Sequence, residues 1–366
     1  MSMPVVASIC AEILLNTSTE QMNERSAGHN NIRILTDISI RRSPLWNGNT
    51  HFIGDHTLKK MPKDSKSAFG ISLSNLLLPY FNVINILKNH KNYDVVITAD
   101  LRTAQLYGLF RGIFHIRFPK HIVLELMLDE EHKSVLWKIK KMMQRFAFSS
   151  VDIIFVSATH EIDTYSRRLN KPRNHIKFLP FHTNIMEPRI MKGGDYIISA
   201  GRTGRDYRII ADAVKDMELE VIIISDEQSV KGINFPPNVI VLVDVPYQEY
   251  LNLLYNCRFV VIPLKKLVKS TGQVAFLEAM ATGKPVIATE TVGTKDYIQS
   301  GVNGLLIPPE DAGSLKEAIC TLIKDPALGN RISMNALKSV RNLYTLEKYC
   351  GTILNAAEEL AESRDR

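Results

Sequence analysis

The sequence predicts an α/β protein made of two Rossmann-like, doubly wound domains with parallel sheets. Three observations carry that reading. Ten short β-rich runs from about residue 93 onward are continuously apolar, as strands buried on both faces are, instead of alternating. Helical patterns lie between most of them, the signature of βαβ units. At 366 residues, 45% hydrophobic and 23% charged, the chain is a globular protein long enough for about two domains, each with its own core.

In chain order, "VVASICAEILL" (5–15) reads as the first strand, and "SAGHNNIRILTD" (26–37) as the end of a helix followed by a second strand. "NTSTEQ" stands between them. The runs that follow are "YDVVITAD" (93–100), "HIVLELML" (121–128), "VDIIFVSA" (151–158) and "IKFLPF" (176–181). Polar residues, Pro188 and the Gly193-Gly194 pair then break the rhythm over 182–195, where the interdomain linker is placed. Beyond it come "YIISAG" (196–201), "EVIIIS" (220–225), "VIVLVD" (239–244), "FVVIPL" (259–264), "KPVIAT" (284–289) and "GLLIPP" (304–309). The expected units are a first Rossmann-like domain at 1–185, a second at 186–345, and a last helix at 346–366 packing back on the first domain.

Several function classes are disfavoured by composition. The four cysteines are scattered, with no C-x-x-C pair, so neither a disulfide framework nor a zinc knuckle is expected and a reducing compartment is the default. The N-terminal apolar run lacks a basic flank and contains Glu12, unlike a secretory signal, and no stretch is apolar enough to span a membrane. Residues 1–190 hold 25 Lys+Arg against 16 Asp+Glu, whereas the remainder holds 20 against 22. That basic first half suits a nucleic acid, an anionic membrane or a phosphorylated substrate, and a solvated surface equally well. With no helix-turn-helix or aromatic-basic binding motif, no nucleic-acid partner is expected.

The chemistry concentrates in "STGQVAFLEAMATGKPVIATE", residues 270–290. Ser270 or Thr271 can cap the helix, Gly272 permits close approach, and the free amides there suit an anion. Glu278, alone among apolar neighbours, lies six residues inside, roughly 9 Å along the axis at 1.5 Å per residue. A buried carboxylate demands a partner. A nucleoside diphosphate, with its phosphate at the helix start and its ribose diol on Glu278, supplies one. "SAGRTGRDY" (199–207) offers a second anion site, in which Arg202 and Arg205 flank a turn containing Gly201 and Gly204. Arg205 in a structural ion pair is the competing account of that motif. Its spacing is not the dinucleotide fingerprint.

Residues 272–319, with Leu-Glu-Ala-Met-Ala, Gly-Lys-Pro-Val-Ile and Gly-x-x-Gly-Leu-Leu-x-Pro-Pro in that order, closely resemble the donor-site segment of the GT-B glycosyltransferases of family 4. The resemblance extends more loosely over about 150–360. It implies the GT-B fold, with two domains facing a central cleft, and a nucleoside-diphosphate sugar as donor, with UDP or GDP as the nucleotide. It implies that Glu278 holds the ribose hydroxyls and that amides near Thr271, Gly272 and Gln273 meet phosphate or sugar. Arg202, joined by Arg205, would bind the diphosphate, and the turn at Asp244 and Val245 the base. Ser270 departs from the pattern, because the family commonly carries a glutamate eight residues before the ribose-binding one.

The acceptor side is less legible. "LELMLDEEH" (124–132) should end a strand at the cleft and offers Glu125, Asp129, Glu130 and His132. Asp129 is the candidate contact or base for an acceptor hydroxyl, although a helix cap explains the same residues. "VLWKIKKMMQRFAF" (135–148) interleaves Trp137, Met142, Phe146 and Phe148 with Lys138, Lys140, Lys141 and Arg145, which suits an anionic bilayer as well as an ordinary helix with one face in the core. No D-x-D pair or metal-ligand spacing occurs, so neither a metal ion nor any other cofactor is expected, with cations and helix-end amides neutralising the leaving group. The resulting expectation is a retaining, metal-independent transferase acting in the cytoplasm on a glycan or lipid-linked acceptor. Ser270 also suits an inactive transferase-like partner protein, and a GT-B nucleotide-sugar epimerase is a further alternative.

Overall fold

The computed structural model describes residues 32–53, 73–129, 131–267 and 269–363. The expected strand at 5–15, the "NTSTEQ" loop and Glu130 lie outside those residues. Among the described residues two six-stranded sheets form, and every strand pairing in them is parallel.

The first sheet contains β1 (Ile34–Thr36), β2 (Thr50–Phe52), β3 (Val95–Thr98), β4 (Lys120–Val123), β5 (Ile153–Val156) and β6 (Ile176–Phe178), in the order β2-β1-β3-β4-β5-β6. The second contains β7 (Ile197–Ala200), β8 (Val221–Ser225), β9 (Val239–Val243), β10 (Val260–Ile262), β11 (Val286–Thr289) and β12 (Leu305–Ile307), in the order β12-β11-β10-β7-β8-β9. All ten apolar runs contain a strand. β3, β5, β7, β8 and β11 are buried along their whole length, which is why they read as unbroken apolar runs.

Three details differ from the sequence reading. β2 carries too little apolar pattern to be recognised, because it is an edge strand of three residues. β9 reads as buried on both faces yet is half open, since it too is an edge. β4 stops at Val123 instead of running to residue 128, because Glu125 takes a left-handed backbone with φ of 48° that no strand can continue through.

The domains are joined at two crossings that run side by side, with the Thr183 amide donating to the Tyr344 carbonyl at 2.9 Å. After the second crossing the Leu346–Glu362 helix returns to the first sheet, where Tyr349, Cys350, Ile353 and Leu354 share a core with Ile34, Val95 and Ile122. Direct bonds also tie the domains together. Thr159 donates both its amide and its hydroxyl to Asp296 at 2.7 Å each, and the Tyr297 hydroxyl donates to the Ser157 carbonyl at 2.8 Å.

Candidate functional site

In the second sheet, the crossover direction reverses between β7 and β10, and ligands of such sheets bind beyond the strand ends at that point. A cleft of about 1480 Å³ opens there, between the two domains. Its second-domain wall carries Gly201 and Arg202 after β7, Asp244 and Val245 after β9, and Thr271, Gly272, Gln273 and Glu278 after β10. Arg42, Glu125, Met127 and Ser157 form the opposite wall.

The Gln273–Ala281 helix begins at Gly272, whose φ of 93° only glycine adopts readily. No side chain caps it, so neither Ser270 nor Thr271 plays the expected capping role. Ser270 is buried at 3% exposure. Its amide donates to Glu161 Oε1 at 3.2 Å, and its hydroxyl accepts from the Gln273 side chain. The helix start is therefore uncapped, and its residues line the cleft. Ser270 also packs against Gly293, where an added Cβ would collide with the Ser270 hydroxyl.

Glu278 is 1% exposed and has partners within the chain, contrary to the expectation of a carboxylate satisfied by ligand alone. Asn184 Nδ2 and the Tyr247 hydroxyl donate to Oε1 at 3.0 and 2.8 Å, and the Tyr250 hydroxyl donates to Oε2 at 2.9 Å. Burial pushes its carboxyl above the ordinary range, opposed by these three bonds and by the charge of Arg42. Oε2, with one donor, keeps acceptor capacity toward the cleft. The spacing of Tyr247 and Tyr250, three apart at the start of the Tyr247–Asn256 helix, was the available signal for this clamp; Asn184, on the crossing segment, gave none.

The two arginines divide. Arg202 is 38% exposed and holds Asp244 Oδ1 at 2.9 Å, so its guanidinium reaches the cleft in a pair that a phosphate can displace. Arg205 is 7% exposed. Its Nε donates to the Ala200 carbonyl at 3.1 Å and its Nη1 to that of Thr203 at 3.0 Å. Arg205 also lines the cleft, while burial commits its Nε and Nη1 to these carbonyls, so that it braces the turn as well. Asp244 has a left-handed backbone, φ 51°, which turns the chain toward Val245 at the cleft edge.

Asp129 stands apart from the cleft. It is exposed, pairs with Lys140 Nζ at 2.8 Å, and lines a separate cavity of about 510 Å³ with Glu131, Arg167 and Lys269. The Lys140 hydrogen bond holds its carboxyl below the usual range, the wrong direction for a base. The choice of Asp129 over Glu125 assumed an extended strand to residue 128; with β4 ending at Val123, it is Glu125 that enters the cleft.

Residues 197–325 match the family model described as glycosyl transferases group 1. Over these residues the chain is similar to group 1 glycosyl transferases. An uncharacterized glycosyltransferase of Methanocaldococcus jannaschii is 30% identical over 179 residues, which are 46% of this chain and 50% of that relative, so the match spans half of the relative's length. The O-antigen chain mannosyltransferase C of Escherichia coli is 23% identical over 69% of this chain and 76% of its own. Among solved structures, Anabaena HepE in complex with UDP superposes with a TM-score of 0.65 at 14% identity, covering 90% of this chain and all of that one. The paired parallel sheets facing a cleft are thus the GT-B fold. Within the matched residues lie Arg202, Asp244, Gly272 and Glu278, all lining one cleft.

Proposed function

We propose that the protein transfers a glycosyl unit from a nucleoside-diphosphate sugar to an acceptor hydroxyl of a glycan or lipid-linked saccharide. The observation that carries this reading is the convergence, in one cleft, of an uncapped helix start at Gly272, the Arg202 guanidinium and the buried Glu278 carboxylate. The ribose diol donates to Glu278, sharing it with Tyr247 and Tyr250. The turn at Asp244 and Val245 meets the base, and the diphosphate lies between Arg202 and the Gly272 amides. When the bond from the anomeric carbon to the diphosphate breaks, its electron pair stays on the phosphate oxygen, where these donors stabilise the charge without a metal ion. Transfer with retained anomeric configuration completes the proposal. The UDP bound by HepE, in the same fold, favours such a donor.

Screening UDP-, GDP- and ADP-sugars by thermal shift and calorimetry tests it. A true donor present at 100 times its Kd stabilises the protein by about 2.7 kcal/mol. Glu278→Ala and Arg202→Ala lose that response, and chelators leave it intact. No stabilisation by any nucleotide, or unchanged responses in both variants, overturns the assignment.

The acceptor is proposed to reside in an anionic membrane surface. On the Val135–Ser149 helix, Trp137 and Phe148 turn into the core, whereas Val135, Leu136, Ile139, Met142, Met143 and Phe146 are exposed, Leu136 at 79%. Phe110, Ile113 and Phe114, at the end of the adjoining helix, extend that apolar face, with Arg117, Lys133 and Lys138 exposed around it. Exposed apolar side chains edged by cations suit a bilayer interface. Flotation with phosphatidylglycerol vesicles but not with phosphatidylcholine vesicles, lost in Leu136→Glu/Met142→Glu, is the expected result.

A further inference from the structure

We propose that Glu125 is the carboxylate that receives the acceptor hydroxyl and its proton, held in place by Tyr349 from the C-terminal helix. This rests on the transferase reading above and adds the residue that the acceptor meets.

The backbone supplies the first argument. The Leu124 amide donates to the Thr98 carbonyl at 2.8 Å, and the Leu126 amide donates to the Phe155 carbonyl at 3.0 Å. Both side chains are buried, at 1% and 2% exposure. With its neighbours tied to β3 and β5 on either side, Glu125 is turned out at φ of 48°, a backbone conformation that crowds Cβ against the following carbonyl oxygen. Strain of this kind persists where the surroundings enforce it, and the result is a carboxylate delivered to the cleft.

Its bonding supplies the second. The Tyr349 hydroxyl donates to Oε1 at 2.7 Å, and Oε2 has no donor among the described residues. Glu161 differs, since Ser157, Ala158 and Ser270 engage both of its oxygens, and Glu278 is held by three donors. Glu125 is thus a cleft carboxylate with a whole oxygen to offer, on the wall opposite the Gly272 helix start. Tyr349 is itself wedged against the His182 ring, 4.8 Å away, on the interdomain crossing. Tyr349 is a positioning residue: it fixes the carboxylate without meeting substrate.

The step balances. As the anomeric carbon parts from the diphosphate oxygen, which keeps the electron pair, the acceptor oxygen bonds to that carbon on the face the diphosphate leaves, so that configuration is retained, and its proton passes to Glu125 Oε2. Burial raises the Glu125 carboxyl above its ordinary range while the Tyr349 bond lowers it. A raised carboxyl pKa suits proton acceptance near neutrality. Tyr349 is the titratable group facing Glu125, with His182, Tyr297 and Cys350 grouped behind it.

The test uses whichever sugar nucleotide of the panel binds most tightly, and follows release of its nucleoside diphosphate, with water as the acceptor, across pH. Glu125→Gln and Glu125→Asn, which keep a polar group and tolerate the fold, should retain the wild-type Kd by calorimetry while release slows by about 100-fold or more. Tyr349→Phe removes the bond that lowers the carboxyl, so the acidic limb of kcat/KM should move to higher pH, a shift that a merely structural tyrosine would not produce. Wild-type release rates in Glu125→Gln or an unmoved limb in Tyr349→Phe would overturn the role of Glu125 alone, whereas a bound donor that the wild type never cleaves would overturn the transferase reading on which it rests. If no sugar nucleotide binds the wild type, the donor reading falls and this inference with it.

Discussion

Replacing Tyr250 by Phe is the sharpest test of the clamp around Glu278. The hydroxyl donates to Oε2 at 2.9 Å, and Glu278 is 1% exposed, so water cannot freely replace the lost donor. A hydrogen bond to a charged group is worth about 1.5 to 3 kcal/mol, so a loss of about 2 kcal/mol is expected at neutral pH. The pH dependence follows from the raised folded-state carboxyl. Between the unfolded pKa and the folded one the native state binds more protons, so stability falls as pH rises through that window. Tyr250→Phe removes a bond that lowers the folded pKa, so it deepens the loss at the alkaline end and changes little below the unfolded pKa. Urea unfolding followed by circular dichroism, at pH 4.5 and at pH 8, measures both. A penalty equal at the two pH values, or no penalty at either, would show that the hydroxyl does not support an ionised Glu278.

Other expectations are separately measurable. Gly201→Ala should destabilise the second domain by roughly 3 kcal/mol in urea melts, since φ is 130° and a Cβ would collide with the buried Arg205 guanidinium. Lys284→Ala should cost about 3 to 5 kcal/mol by the same assay, because Nζ donates to the carbonyls of Met191, Lys192 and Cys257, which would be left unpaired. Burial pushes the Cys257 thiol up to about 12 and that of Cys350 to about 11, so both should resist alkylation at pH 8 in the native state, whereas half-buried Cys320 reacts; mass spectrometry of trapped peptides decides this. Burial raises the Asp37 carboxyl to about 7, so its contribution to stability should decline as pH rises from about 4 to 7, and Asp37→Asn should flatten that part of the stability profile.

The sequence by itself determined what depends on local pattern. Strands buried on both faces must be apolar throughout, so the runs around β3, β5, β7 and β8 were readable, as was the Gly272 start of a helix carrying a carboxylate among apolar side chains. Where burial is one-sided the pattern fails, and β2 and β9, as edges, were respectively missed and misread. Only the tertiary structure decided which polar groups meet. Asn184, Tyr247 and Tyr250 converge on Glu278 from 94, 31 and 28 residues away, and Tyr349 reaches Glu125 from 224 away. Arg205 looks like a phosphate ligand in one dimension, and only the fold shows that two of its donors also brace the turn after β7. Asp129 and Glu125, four residues apart, exchange their expected places because one left-handed residue ends β4 early. The physical reason is the same in each case: periodicity reports which face is buried, whereas the partner of a buried charge depends on distances across the fold, and these exist only once the chain has closed.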